Sequence, residues 1–454
     1  MSIESIDEMS RLAMLNIENN PGLAEQGIEG YYLAFEQLKR QKLRIVVSSV
    51  VSESRALQSA LLTAINSGKR AFKGGVFIKM PMDVTLLLPW SRTCTLNDAV
   101  VEVGGDLTDV SDASFTLYIG IKAVDTDSLE IVANGWQGGV VAAGDDISLT
   151  QDSDGVLGGI FAGSLGVALG FLRISGEKLD STADSCGLSL WRPDLHWLDH
   201  EAIGSEIKYF PKKIWLLGLG HLGQAYVWAI SLFSFSEPNQ LTVMLQDTDI
   251  VKPANIDTGL LSDSDSCEKK IKKTRLCSKW LEDRHIDTNI CERYFDESFN
   301  PTDVESDILI SGLDSVETRR ILNTDKFKNI LDCGLGGNKS NFDSISFYNL
   351  GISDLKPEEI WKTTDNSNDN PESRKLYSNI FACGEYDKGI GASFIGGIAS
   401  TLVLSEIMRA YNGGIAVPHV RMSVRNQKSS INVSSVINYG NPMKYSKAGF
   451  VELL

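Results

Sequence analysis

No C-x-x-C pair occurs in the 454 residues of this chain. Its seven cysteines, Cys94, Cys186, Cys267, Cys277, Cys291, Cys333 and Cys383, are scattered and odd in number. That pattern argues against a disulfide framework and against a cysteine-held zinc site. No structural zinc is expected, and a reducing cytoplasm is the expected compartment. Positive charge is also scarce. Lys and Arg number 43 against 59 Asp and Glu, a net charge of −16, which argues against general nucleic-acid binding. The first residues, Met1-Ser-Ile-Glu-Ser-Ile-Asp-Glu8, are acidic and lack the apolar core of a secretory signal. One uncharged run, residues 155–172, is long enough to span a bilayer. No basic flank marks an orientation for it, and it holds Gly155, Gly158, Gly159, Gly163, Gly166 and Gly170. Small residues at that density suit a helix packed inside protein, so no membrane association is expected.

What is present reads as an α/β protein long enough for two or three domains. Residues 4–42 have a mixed helical pattern. The β-branched run Leu43-Arg-Ile-Val-Val-Ser-Ser-Val-Val51 is typical of a buried strand. Residues 56–67 form an amphipathic helix expected to end at Gly68. Strands are expected over 75–80, 84–88, 115–121 and 129–132. The first strand leads into Ser52-Glu-Ser-Arg55 with no glycine loop. Residues 157–173 resemble residues 391–409. Both are glycine-rich apolar helices ending in arginine, and each lies late in its half, as an internal repeat would place them. Residues 174–211 read as a connector, and the second domain begins near Lys212. Residues 361–374 are a polar, low-complexity loop expected to be mobile. Segments 420–424 and 431–433 read as strands of an antiparallel extension.

The most informative stretch is Ile214-Trp-Leu-Leu-Gly-Leu-Gly-His-Leu-Gly223, followed by Leu241-Thr-Val-Met-Leu-Gln-Asp-Thr-Asp249. It reads as strand, glycine turn, helix and second strand. Gly218, Gly220 and Gly223 follow the G-x-G-x-x-G arrangement that brings backbone close to a phosphate at a helix N-terminus. Asp247, at the end of the second strand, suits a ribose hydroxyl pair. Further features follow in order: Asp249, Asn255, the run Lys269-Lys-Ile-Lys-Lys273, Asp314 after Asp307-Ile-Leu-Ile-Ser-Gly-Leu313, Arg319, and Cys383 before a glycine-rich helix. Taken singly these residues have plainer readings. Asp249 can simply end a strand, the lysine run can be a solvated helix face, and Arg319 can anchor a turn.

As a series over residues 210–412 they resemble the ThiF/MoeB superfamily, which includes the ubiquitin-activating enzymes. Within it the chain is similar to bacterial activating-enzyme-like proteins of phage-defence operons. The resemblance implies two Rossmann-like adenylation halves: a degenerate one over residues 1–205 and an active one over 206–454. The active half would have a mostly parallel sheet, an antiparallel extension and a mobile crossover loop over 355–382. It implies ATP and magnesium as cofactors and adenylation of a protein's C-terminal carboxylate. By the resemblance Gly218, Gly220, Gly223, Asp247, Asp249, Asn255 and Lys270 would bind nucleotide. Lys273 would be the catalytic lysine, with Lys270 and Lys272 as rivals, and Asp314 would hold magnesium. Cys383 would take the acyl group, with Cys333 as the alternative. The implied partners are a ubiquitin-like protein ending in glycine and a ubiquitin-conjugating-like enzyme. One chain could suffice, and a homodimer is also compatible.

Two departures stand out. Relatives carry Arg-Gln shortly after the asparagine, where this chain has Thr258-Gly259, so the phosphate grip must come from elsewhere. The paired C-x-x-C motifs of many relatives are absent. A nicotinamide-dependent oxidoreductase is a second reading, but the gap from Gly218 to Asp247 exceeds the roughly 20 residues of that fingerprint. A non-catalytic nucleotide-binding module is a third.

Overall fold

The structure is a computed structural model that describes residues 12–91, 95–149, 155–177, 185–237, 239–302, 306–322, 325–337, 341–361, 390–426, 432–433, 436–438 and 449–454. The first sheet contains β1 (Leu43–Val47), β2 (Val76–Lys79), β3 (Phe115–Ile119), β4 (Ser128–Asn134), β5 (Gln137–Ala142) and β6 (Cys186–Ser189), in the order β2-β1-β3-β4-β5-β6. Its first four strands are parallel and the last two antiparallel. The chain then forms β7 (Tyr209–Pro211), β8 (Lys213–Leu217), β9 (Thr242–Gln246), β10 (Asp287–Cys291), β11 (Ile308–Ser311), β12 (Asn329–Leu335), β13 (Ser344–Asn349), β14 (Ile415–Ala416), β15 (His419–Ser423) and β16 (Asn432–Val433). The second sheet runs β10-β9-β8-β11-β12-β13-β15-β16. Its five strands from β10 to β12 are parallel and the rest antiparallel. The expected α/β class, mostly parallel with an antiparallel extension, is what the chain forms.

The two sheets share one plan. In each, the second strand (β2 or β9) lies on one side of the first (β1 or β8), and the parallel strands β3 and β4, or β11 and β12, lie on the other; the second sheet adds β10 outside β9. Two antiparallel strands follow in each, β5 and β6 or β13 and β15, with β16 added at the far edge of the second sheet. A long apolar helix, Leu157–Ile174 in one half and Ser393–Asn412 in the other, connects the two antiparallel strands. The internal similarity of these helices therefore reflects equivalent positions in the fold. Both have the length and hydropathy of a membrane span, but 89% and 100% of their apolar windows are buried inside the protein.

Small residues let the helices approach at backbone distance. A Cβ on Gly159 would lie 2.0 Å from the Ala56 carbonyl oxygen, and one on Gly163 would lie 2.3 Å from that of Ala60. Those partners belong to helix Arg55–Ala71, which Ser54 caps by accepting the Leu57 N–H at 3.2 Å. This helix runs through Gly68 instead of ending there. The glycine answers a packing need, because a Cβ would meet Leu43 Cδ2 at 2.9 Å. The strand expected over 84–88 is also absent, and that segment makes a single bridge, Thr85 to Thr95.

The halves meet through helices 55–71 and 157–174 on one side and helices His221–Ile230 and 393–412 on the other. The Phe171 and Phe394 rings lie 5.7 Å apart, and Trp228 Nε1 donates to Thr63 Oγ1 at 3.0 Å. Arg284 lies over Trp280 at 3.8 Å and over Trp90, from the other half, at 4.4 Å. One continuous apolar core runs through both units.

Candidate functional site: a nucleotide-sized cleft

A cleft of about 610 Å³ opens where β8, β9 and β11 end. That is the usual ligand position in an open α/β sheet. The glycine loop forms its floor, and each glycine answers a different constraint. Gly218 has φ +84°, and a Cβ there would lie 3.0 Å from the Gly312 carbonyl. A Cβ on Gly223 would lie 2.1 Å from the Gly218 oxygen, so only glycine lets helix 221–230 start so close to the strand. Gly220 meets nothing within 4 Å and caps that helix. It leaves open space in front of the helix N-terminus, where a phosphate is favoured.

Asp247 fixes this loop. Its Oδ2 accepts the Leu219 N–H at 2.7 Å, and its Oδ1 accepts the Asp249 N–H at 2.7 Å. A carboxylate has about four acceptor positions, so capacity remains for ribose hydroxyls. Gln224, fully buried one residue beyond the motif, was not legible as a site residue. Its Nε2 donates to the Leu219 carbonyl at 3.3 Å. Its Oε1 accepts from Leu261 N, Ser262 N and Ser262 Oγ at 3.0, 2.9 and 3.0 Å. This clamp explains Gly259, where a Cβ would lie 2.4 Å from the Gln224 oxygen.

The sequence-predicted residues Gly218, Gly220, Asp247, Asp249, Asn255, Lys273 and Asp314 all line the one cleft. Gly223 supports it from below. Lys273 begins helix Lys273–Glu282, and only 9% of its side chain is exposed. Its Nζ donates to Asp249 Oδ2 at 3.0 Å. Burial pushes the Asp249 carboxyl up, but the Lys273 hydrogen bond and the charges of Lys273, Lys252 and Lys272 outweigh it and hold the group below the usual carboxylate range. Asn255 lies in helix Pro253–Thr258, and its Oδ1 accepts the Lys252 N–H at 2.9 Å. Asp314 lies in the turn after β11, exposed at the cleft wall. Arg319 holds that turn by donating to the Leu313 carbonyl and, at 3.1 Å, to the Cys333 carbonyl. Its Nε lies 3.5 Å from Asp332, a carboxyl that burial pushes up.

Other predicted residues are placed differently. Lys270 does not line the cleft. It is an exposed turn residue with φ +50°, between the short helix Ser264–Glu268 and the buried lysine. Lys272 caps the next helix, and its Nζ donates to the Thr248 carbonyl. Cys333 is fully buried in β12, where burial pushes its thiol up and disfavours the thiolate. Cys383 lies outside the described residues, as does most of the 355–382 segment. Its beginning holds a short helix, Pro357–Ile360. Tyr294, 76% exposed, and Arg293 add an aromatic and a cation to the lining that sequence reading missed. Among the described residues no group of three or more His, Cys, Asp or Glu could hold a metal ion. Magnesium needs only one or two carboxylates beside phosphate oxygens and water, and Asp247, Asp249 and Asp314 supply carboxylates to the lining.

The sequence matches the BilD C-terminal domain over residues 210–414 and the BilD N-terminal domain over residues 42–190. A curated relative from Collimonas sp. (strain OK412), described as bacterial E1-like protein BilD, is 30% identical over 397 residues. The match spans 84% of this chain and 85% of that protein. The chain belongs to the BilD family. BilD membership agrees with the E1-like, ThiF/MoeB-type resemblance read from the glycine loop and the residues after it. Two solved structures are also similar. E. coli MccB with AMPCPP and MccA is 13% identical over 72% of this chain and 98% of that one, with a TM-score of 0.33. E. coli MccB with ATP is 14% identical over 70% and 97%, with a TM-score of 0.34. In this BilD chain the cleft adjoins a Thr258-Gly259 turn that is packed for the Gln224 clamp.

Proposed function

We propose that the carboxyl-terminal half adenylates the C-terminal carboxylate of a ubiquitin-like protein, with ATP as co-substrate. The observation that carries this reading is the convergence of Gly220, Asp247, Asn255, Lys273 and Asp314 on one cleft. A carboxylate oxygen of the incoming protein attacks the α-phosphorus. The bond to the pyrophosphate oxygen breaks, leaving an acyl-adenylate and pyrophosphate. Such a reaction needs an in-line approach and cations aimed at developing negative charge. The helix 221–230 N-terminus and the Gly220 opening receive phosphate. Asp247 takes the ribose. Lys273, kept in place by Asp249, supplies fixed positive charge. Magnesium, when bound through Asp314, would neutralise phosphate charge.

The acyl group then passes to the Cys383 thiolate, giving a thioester and AMP, and on to a conjugating-type partner in the cytoplasm. An operon for phage defence is the setting we favour. Purified protein should exchange labelled pyrophosphate into ATP only when its cognate ubiquitin-like protein is present. Absence of exchange with every small protein encoded beside it would remove this reading in favour of a non-catalytic nucleotide module. A Cys383→Ala variant should still exchange pyrophosphate but form no thiol-reducible conjugate. An undiminished conjugate would remove the cysteine assignment.

A further inference from the structure

The segment after Asn255 is held from two sides. Gln224 grips it from the glycine-loop helix. From the other side it is gripped by the half that has no nucleotide loop. Arg70 Nε donates to the Gly259 carbonyl at 2.8 Å, and its Nη2 donates to the Ser262 carbonyl at 3.1 Å. Asn66 Nδ2 donates to the Leu260 carbonyl at 3.0 Å, and Lys73 pairs with Asp257. Arg70 is 4% exposed and Asn66 is 3% exposed. Arg70 Nη1 also bonds the Asn66 carbonyl at 2.6 Å, so the two side chains act as one unit on helix 55–71.

These contacts fall on the carboxyl end of helix 253–258, whose carbonyls lack partners within the helix. A guanidinium there satisfies the Gly259 oxygen and complements the helix dipole. The opposite end of the same short helix carries Asn255 into the cleft. The helix is only six residues long, so fixing one end fixes the other.

The geometry points to Arg70 as a positioning residue of the nucleotide site: it sets the helix that presents Asn255, and so makes the degenerate half part of the site. This rests on the nucleotide reading above. It also gives the arginine missing at position 258 a substitute of a different kind. Arg70 touches no cleft surface and works through backbone carbonyls.

The test is direct titration of the full-length protein with ATP and magnesium, which needs no acyl substrate. Arg70→Met should weaken ATP binding on the order of tenfold, the size of a lost charged hydrogen bond, and Arg70→Lys should recover part of it. In an Asn255→Ala background the further loss from Arg70→Met should shrink below about threefold, the signature of coupled residues. Thr63→Val, which cuts the bond to Trp228 elsewhere on the same interface, should keep ATP affinity within about twofold while lowering the melting temperature. Arg70→Met binding within twofold of wild type overturns the proposal. So does an equal loss with and without Asn255, or an equal loss in Thr63→Val. If Arg70→Met does not fold, Arg70→Lys decides: weakening supports the proposal and unchanged affinity overturns it. A wild-type protein that binds no ATP removes the nucleotide reading itself, whereas unchanged binding in the Arg70 variants removes only the positioning role.

Discussion

After β1 the amino-terminal half makes a tight 3-10 turn, Ser49–Glu53. There Ser48 Oγ accepts the Val50 N–H at 3.4 Å and donates to the Gly120 carbonyl at 2.6 Å. After β8 the carboxyl-terminal half makes the glycine loop, and Asp247 takes the Leu219 N–H. Both turns lead into a helix on the same face of an equivalent sheet, and the two helices pack across a shared core. One turn is tied by Ser48 to its own Val50 N–H and to the Gly120 carbonyl. The other leaves Gly220 in open space and N–H groups facing a cleft. The two halves thus differ in the turn after the first strand, while much of the sheet plan is common to both.

The largest effect should come from the cleft's buried cation. Lys273→Met should lower pyrophosphate exchange by about 10²–10³-fold, the usual cost of one preorganised charge donor. The same substitution should release Asp249 upward toward the ordinary carboxylate range, measurable by NMR titration. Undiminished exchange would pass the catalytic role to Lys272.

Next comes a matched pair. Gly220→Leu should cut exchange about a hundredfold, because a side chain there pushes phosphate out of line, with little change in melting temperature. Ser49→Leu, at the exposed first position of the corresponding turn, should leave exchange unchanged. Equal losses would mean that both turns serve the nucleotide.

The smallest effect concerns Lys69, beside Arg70. Burial, with the charges of Arg70 and Lys73, lowers its pKa to about 7, against the opposing pull of Asp263. A lysine with a lowered folded pKa binds fewer protons folded than unfolded between about 7 and its ordinary value. Its destabilising contribution is therefore full below pH 7 and fades as pH rises above it. Lys69→Met should flatten the rise in melting temperature between pH 6.5 and 9 and be the more stable form at the lower pH. A parallel shift at both pH values would assign the effect to packing alone.

The lining of the cleft was legible where the residues recur at definite spacing. The three glycines, Asp247, Asn255, Lys273 and Asp314 follow one another in sequence, and the loops and helix starts beyond the strands' carboxyl ends bring them to one cleft. The fold was legible where the composition is distinctive, as in the β-branched β1 and the two long apolar helices. Gly68 misled because a glycine that ends a helix and one that admits a neighbouring Leu43 look alike in one chain. Residues 84–88 have strand composition but pair through one bridge only. Lys270 shares a basic run with Lys273, and only the left-handed turn between them separates an exposed lysine from a buried one. Gln224, Asn66 and Arg70 were not legible because their partners lie far along the chain. Arg70 and Gly259 are 189 positions apart, and no local pattern marks such a bond.

The central claim is that a shared plan supports one nucleotide site per chain, in the carboxyl-terminal half alone. Calorimetric titration of the full-length protein with ATP and magnesium tests it most directly. The account predicts one ATP per chain, lost in Gly220→Leu and kept in Ser49→Leu. Two sites per chain, or binding that survives Gly220→Leu unchanged, would contradict it.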